Sequence, residues 1–133
     1  MKNPPLILIA DDDADFKEIV SAKLLSFGYQ IAEAKDGAEA ITKAKSLIPD
    51  LIIMDIQMPN VNGTEAVLEI KQDPQLKDAK IVFFSSLIYP WPGVKESNPD
   101  FAKELGAVTF LKKSDELDKI ATTIKGLLTE TKS

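Results

Sequence analysis

Four short stretches of the chain are apolar almost without interruption: PLILIA at 5–10, LIIMD at 51–55, KIVFFS at 80–85 and VTFL at 108–111. A strand with one wet face alternates apolar and polar residues, whereas continuous runs of this length suit parallel strands covered on both faces. A fifth stretch, YQIAEA at 29–34, alternates more and suits a strand nearer an edge. Between the runs the period becomes helical. From Ala14 to Phe27 the positions Phe16, Ile19, Val20, Leu24 and Phe27 form one stripe, and Gly28 follows as a stop. A second helix is predicted over 37–47, with Asp36 as its N-cap and Pro49 after its end, and a third over 64–72, before the turn-like DPQ. The last is predicted to start at Ser114 as N-cap, with Asp115 and Glu116 in its first turn, and to run through Leu117, Ile120, Ala121, Ile124, Leu127 and Leu128.

Strands alternating with helices in this way predict the α/β class, a doubly wound five-stranded parallel sheet with helices on both faces. The segment SLIYPWPGVKESNPD at 86–100 breaks the alternation. Its three prolines disfavour a long helix, and only a short one is predicted, over about 99–105, with Asn98 as N-cap and Pro99 in the first helical position. Trp91 within it reads either as a partner anchor or as local packing. TETKS at the end reads as a loose tail.

At 133 residues and 44% hydrophobic, the chain suffices for one domain with a real core, and the expectation is a single domain over 1–133 with its core at about 5–129. Its apolar runs are too short to span a bilayer, and the start MKNPPLILIADDD turns acidic too early for a secretory leader, so a soluble, cytoplasmic protein is expected. The absence of cysteine excludes disulfides and thiolate chemistry. All 16 basic residues are lysines, scattered along a chain of net charge −5. Without the bidentate fork of arginine or a basic cluster, nucleic-acid binding is not expected. The absence of histidine removes serine–histidine triads, imidazole metal ligands and any phosphohistidine carried by the chain itself. Chemistry here must use carboxylates, hydroxyls and lysines.

Those groups concentrate where predicted strands end. The first strand runs into Asp11, Asp12 and Asp13, the third ends at Asp55, the fourth at Ser85, and Lys113 follows the fifth. In open parallel sheets ligands bind outside the carboxyl ends of the strands. Two carboxylates about 5 Å apart repel by roughly 3 kcal/mol at an effective dielectric of about 20, so something positive is expected among them. Oxygen ligands with no imidazole or thiolate favour a hard cation such as Mg²⁺. Taken singly, each residue has a blander reading: the three aspartates as helix caps, with Asp13 the expected cap, and Asp55 as a surface acid at a strand end.

Several linked motifs resemble the receiver domains of two-component response regulators: the acidic pair Asp11–Asp12, MDIQMPNVNG around Asp55, FFSS at 83–86, and GAVTFLKK with its lysine. The resemblance covers nearly the whole chain and implies the flavodoxin-like (βα)5 receiver fold, of the stand-alone chemotaxis-regulator type. It implies that Asp55 accepts a phosphoryl group from the phosphohistidine of a sensor histidine kinase or histidine phosphotransfer protein. It further implies that Asp11, Asp12 and Asp55, with the backbone carbonyl of Gln57, hold Mg²⁺. Ser85 and Lys113 would bind phosphoryl oxygens, with Lys113 rather than Lys112 in register. Pro59 and Gly63 suit a tight loop after the acceptor.

As switch residues the resemblance implies Ser85, drawn inward once Asp55 is modified, and Phe110, which changes its packing and biases a partner surface in the 86–129 region. Gln57 and Leu87 occupy positions that tune phosphoryl lifetime, and leucine cannot hold an attacking water, so slow self-hydrolysis is expected. The chain departs from the family at Ser114, where a proline is usual, and in its longer 86–100 loop. The alternative reading is a receiver-like protein-interaction module that works without phosphorylation.

Overall fold

The computed structural model describes residues 2–56, 58, 61–85 and 107–129. The expectations for Gln57, Pro59, Leu87, Trp91, the 86–100 loop, the short helix at about 99–105 and the final residues from 130 lie outside them. Five parallel strands form one sheet: β1 (Leu6–Ala10), β2 (Gln30–Ala34), β3 (Leu51–Asp55), β4 (Lys80–Ser85) and β5 (Thr109–Lys112). Four α-helices accompany them among the described residues: α1 (Ala14–Leu25), α2 (Gly37–Leu47), α3 (Gly63–Lys71) and α4 (Leu117–Thr129), with a 3₁₀ turn at Pro74–Leu76. None of these helices is long and apolar enough to cross a membrane.

The spatial order β2-β1-β3-β4-β5 puts the alternating strand β2 at an edge and the apolar strands β1, β3 and β4 inside. Every residue of β1 and β3 is buried, which explains runs with no polar interruption. One sheet face carries Leu8, Ile52, Met54, Ile81, Phe83 and Phe110 against Ala40 and Ala44 of α2 and Ala66, Val67 and Ile70 of α3. The other carries Ile7, Ile9, Ile53, Val82, Phe84 and Leu111 against Val20 and Leu24 of α1 and Ile120, Ala121 and Ile124 of α4. The chain leaves β1 toward β2 on one side and returns to β3 on the other. The carboxyl ends of β1 and β3 therefore flank the point where strand order reverses, the position at which such sheets bind ligands.

Three helix expectations need correction. Helix α1 ends at Leu25, with Ser26 as its C-cap and Gly28 at φ +92°. Its buried face is Val20, Ser21 and Leu24, whereas Ile19 is 55% and Phe27 41% exposed. Phe27 lies beyond the helix, off the helical spacing, and its ring sits 6.3 Å from that of Tyr29. The inward Ser21 donates its hydroxyl to Glu33 Oε2 at 3.0 Å, so a polar residue occupies the face that hydrophobicity assigned elsewhere. Helix α4 starts at Leu117, not after Ser114. A turn intervenes, in which Asp115 N–H donates to Lys112 O at 3.0 Å and Asp115 Oδ2 accepts from Lys112 N–H at 3.2 Å. Helix α3 starts one residue early, at Gly63, because Asn62 and Glu65 form a reciprocal capping box.

Candidate functional site

The three aspartates after β1 divide their roles. Asp11 continues the strand, its N–H donating to Ala34 O at 3.0 Å, and its side chain is buried. Asp13 caps α1, with Oδ1 accepting from Phe16 N–H at 3.1 Å, and its own N–H donates to Asp11 Oδ1 at 2.8 Å. Asp12, between them, is exposed. Because Ala10 pairs with Met54, the residue after each, Asp11 and Asp55, lies at the same level of the sheet. Asp11, Asp12 and Asp55 each offer a carboxylate oxygen within 4.8 Å of the others.

The positive charge among them is Lys113. Its Nζ lies 2.6 Å from Asp11 Oδ2 and 3.3 Å from Asp55 Oδ2. The Lys113 N–H donates to Ser85 O at 2.9 Å, which ties the lysine backbone to the end of β4. Lys112 instead pairs with Ser85 in the sheet, one step short of the acidic cluster. The Lys113–Ser114 peptide is trans, and the lysine reaches both carboxylates with that geometry. Ser85 is fully buried at the carboxyl end of β4, beside the strand that carries Asp55. Phe110 is already buried, opposite Phe83 in the sheet and within the α2–α3 side of the core.

Backbone closeness shapes the segment after Asp55. Gly63 N–H donates to Ile56 O at 2.9 Å, and a Cβ on Gly63 would lie 2.1 Å from Asp55 O. A Cβ on Gly37 would lie 2.0 Å from Val61 O. The first turns of α2 and α3 thus close on the loop that follows Asp55, and only glycine leaves room for the approach.

Burial, and then the Asp11 carboxylate, push the Asp55 carboxyl up from 3.8 to about 7 against the pull of the Lys113 ammonium. Burial pulls Lys113 down, but Asp11 and Asp55 outweigh it and leave the ammonium above its ordinary value. Three carboxylates around one ammonium carry a formal charge of −2 when all are ionised. Asp11 Oδ2, though buried, accepts no aligned hydrogen bond, and its contact with Lys113 is one of charge. An all-oxygen donor set with this charge deficit fits a divalent hard cation.

Phe16 belongs to the same cluster, although periodicity alone marked it as a core position. Its ring centroid lies 4.8 Å from Lys113 Nζ and 5.6 Å from the Phe84 ring, at 56° to it. The available clue was its place in the first turn of α1, three residues after the capping Asp13. Asn62 was missed as the N-cap of α3, a structural role outside the cluster, and the N-x-x-E spacing to Glu65 was its clue.

Residues 7–125 match the family described as the response regulator receiver domain. The chain is 36% identical over 124 residues to the chemotaxis protein CheY of Bacillus subtilis, covering 92% of this chain and 96% of that one. It is 42% identical over 83 residues to CheY of Thermotoga maritima, covering 61% of this chain and 67% of the relative. Among solved structures, chemotaxis response regulator CheY4 of Vibrio cholerae superposes with a TM-score of 0.80 at 28% identity, over 92% of this chain and 98% of that one. Other curated relatives are longer, and the chain spans 5% of one and 50% of another.

Proposed function

Since the chain belongs to the response regulator receiver family, we propose that it takes a phosphoryl group from a phosphohistidine of a histidine kinase or histidine phosphotransfer protein onto Asp55, and thereby changes which protein it binds. The observation that carries this reading is the placement of a buried Asp55 carboxylate against the Lys113 ammonium and beside Asp11 and Asp12. We propose further that it acts in the cytoplasm as a receiver of the chemotaxis-regulator type, like CheY of Bacillus subtilis, which it resembles over 96% of that protein's length.

In the transfer, an Asp55 oxygen forms a bond to phosphorus as the bond from phosphorus to the imidazole nitrogen breaks, and the electron pair leaves with the imidazole. Such a transition state asks for positioning and charge neutralisation more than for a base. Burial makes Asp55 poorly solvated, hence a strong nucleophile once ionised, and Lys113 favours that ionised form. The same ammonium then meets the phosphoryl oxygens, for which it turns from Asp11. Ser85, at the end of β4, donates its hydroxyl to another phosphoryl oxygen. Asp11, Asp12 and Asp55 would hold Mg²⁺, with the Gln57 carbonyl as a fourth protein ligand, and the ion would neutralise charge on the transferred group. Movement of Ser85 toward the modified Asp55 is the local event, and repacking of the neighbouring Phe110 passes it to the partner surface in the 86–129 region.

The test is incubation with Mg²⁺ and acetyl phosphate, followed by intact mass for the native chain and for Asp55→Asn. One phosphoryl adduct that requires Mg²⁺ and is lost in the variant supports the reading. A folded protein that takes no phosphoryl group from acetyl phosphate or from phosphohistidine donors supports the phosphorylation-independent interaction module instead.

A further inference from the structure

The Lys113 ammonium has walls of two kinds. Asp11 and Asp55 stand on one side, and the Phe16 ring, 4.8 Å away, stands on another. The Phe16 backbone N–H donates to the Asp13 cap, and the ring lies tilted against that of Phe84, the residue immediately before Ser85. The lysine side chain is only 14% exposed, so the attraction between cation and ring is weakly screened. We propose that Phe16 is a positioning residue for phosphoryl transfer, holding the Lys113 ammonium over the acceptor while leaving it free to turn.

The physical reason lies in the difference between the two attractions. A carboxylate holds an ammonium at one point: Lys113 Nζ donates to Asp55 Oδ2 at 3.3 Å, and the closer charge of Asp11, at 2.6 Å, would by itself draw the ammonium away from Asp55. A ring face attracts the cation without fixing the direction of its N–H groups. Lys113 can thus turn an N–H from the carboxylates to a phosphoryl oxygen without leaving the site. An aliphatic residue of similar size would fill the space and exclude water but would not hold the charge. The role in transfer rests on the function proposed above, whereas the contact itself does not.

The experiment replaces Phe16 by leucine, by tyrosine and by a series of progressively fluorinated phenylalanines, which keep the ring's shape while weakening the negative potential of its face. Two quantities are read: the rate of phosphorylation by acetyl phosphate with Mg²⁺, and the ring-current displacement of the Lys113 ε-methylene protons by NMR, assigned through Lys113→Arg. Urea unfolding checks that each variant is folded. The rate is expected to fall about threefold to tenfold in Phe16→Leu, to stay near the native value in Phe16→Tyr, and to decline stepwise with fluorination. The ring-current displacement is expected in the native protein and Phe16→Tyr, and to vanish in Phe16→Leu.

A rate independent of fluorination in folded variants overturns the proposal, as does a Lys113 signal that does not change in Phe16→Leu. If the native protein takes no phosphoryl group at all, the proposed function fails, and the NMR displacement alone decides whether Phe16 holds the ammonium.

Discussion

Replacing Asp55 by asparagine removes a carboxyl that the metal-free fold accommodates better neutral than ionised. Burial and Asp11 raise it from 3.8 to about 7 in the native state, whereas in the unfolded chain it titrates at its ordinary value. Below about pH 4 both states hold the proton, and the stability this group contributes is fully present. Between about pH 4 and about pH 7 the unfolded chain releases the proton while the native state keeps it, so that contribution is lost as pH rises, and above about pH 7 the loss is complete. Each pH unit of that interval is worth about 1.4 kcal/mol, which sets an upper value of about 4 kcal/mol. Water reaching the site past the exposed Asp12 reduces this to about 2 kcal/mol. Asparagine has no such titration. Urea unfolding in EDTA should therefore show the stability difference, Asp55→Asn minus native, rising by about 2 to 4 kcal/mol from pH 4 to pH 8. The change with pH is the informative quantity, because the difference in packing and hydrogen bonding between asparagine and a protonated Asp55 adds an offset that is constant with pH, while the pull of Lys113 on the ionised carboxylate is already contained in the raised titration. Excess Mg²⁺ should flatten the rise, since a cation beside Asp55 favours the ionised form. A difference that stays flat in EDTA would refute the argument that burial dominates at Asp55. One that falls with pH would show that Lys113 outweighs both burial and Asp11.

Other substitutions test neighbouring parts of the site. Lys113→Met should slow phosphorylation by acetyl phosphate at least about tenfold, because it removes the charge that meets the phosphoryl oxygens; an unchanged rate would remove Lys113 from the mechanism. Gly63→Ala places a Cβ 2.1 Å from Asp55 O, so a loss of about 2 to 3 kcal/mol in urea unfolding is expected, together with slower phosphorylation as the Asp55 backbone shifts. Asn62→Ala breaks the capping box of α3 and should cost about 1 kcal/mol while leaving the phosphorylation rate unchanged. Leu87→Asn or Leu87→Glu should shorten the lifetime of the phosphoryl group, followed by its decay after the donor is removed, because either side chain can hold a water that leucine cannot; unaltered decay would count against a role for this position.

Much of the site was legible because its residues sit where local patterns change. Asp11, Asp55 and Ser85 each stand at the end of an apolar run, and a carboxylate or hydroxyl there breaks a pattern that burial on both faces otherwise keeps apolar. Asp36 was readable as a cap by its position before a helical period, and Gly28 as a stop, which the φ of +92° requires. The misreadings have a common cause. Counting apolar residues along α1 placed Ile19 and Phe27 inside, but the width of the buried face depends on what packs against it, and only Val20, Ser21 and Leu24 are buried there, with Phe16 packed partly buried at its edge. The start of α4 was misplaced because Asp115 was read as part of a helical first turn, whereas it bonds back to Lys112. At the end of α2, Ile48 adopts φ 49°, a left-handed conformation that a β-branched residue does not announce.

Local chemistry in the chain thus determined the kinds of element, their order and the class of sheet, since periodicity and capping act over a few residues and need no partner. It also determined which reactive groups end the strands. The tertiary structure alone decided which ends meet. The order β2-β1-β3-β4-β5 brings Asp11 level with Asp55, and the pairing of Ser85 with Lys112 leaves Lys113 as the residue that reaches both. The Phe16 ring against that lysine is of the same kind, a contact between α1 and the end of β5 across 97 residues of chain. Such contacts depend on strand neighbours and register, which are settled by burying both faces of the whole sheet at once and leave no trace in any single segment.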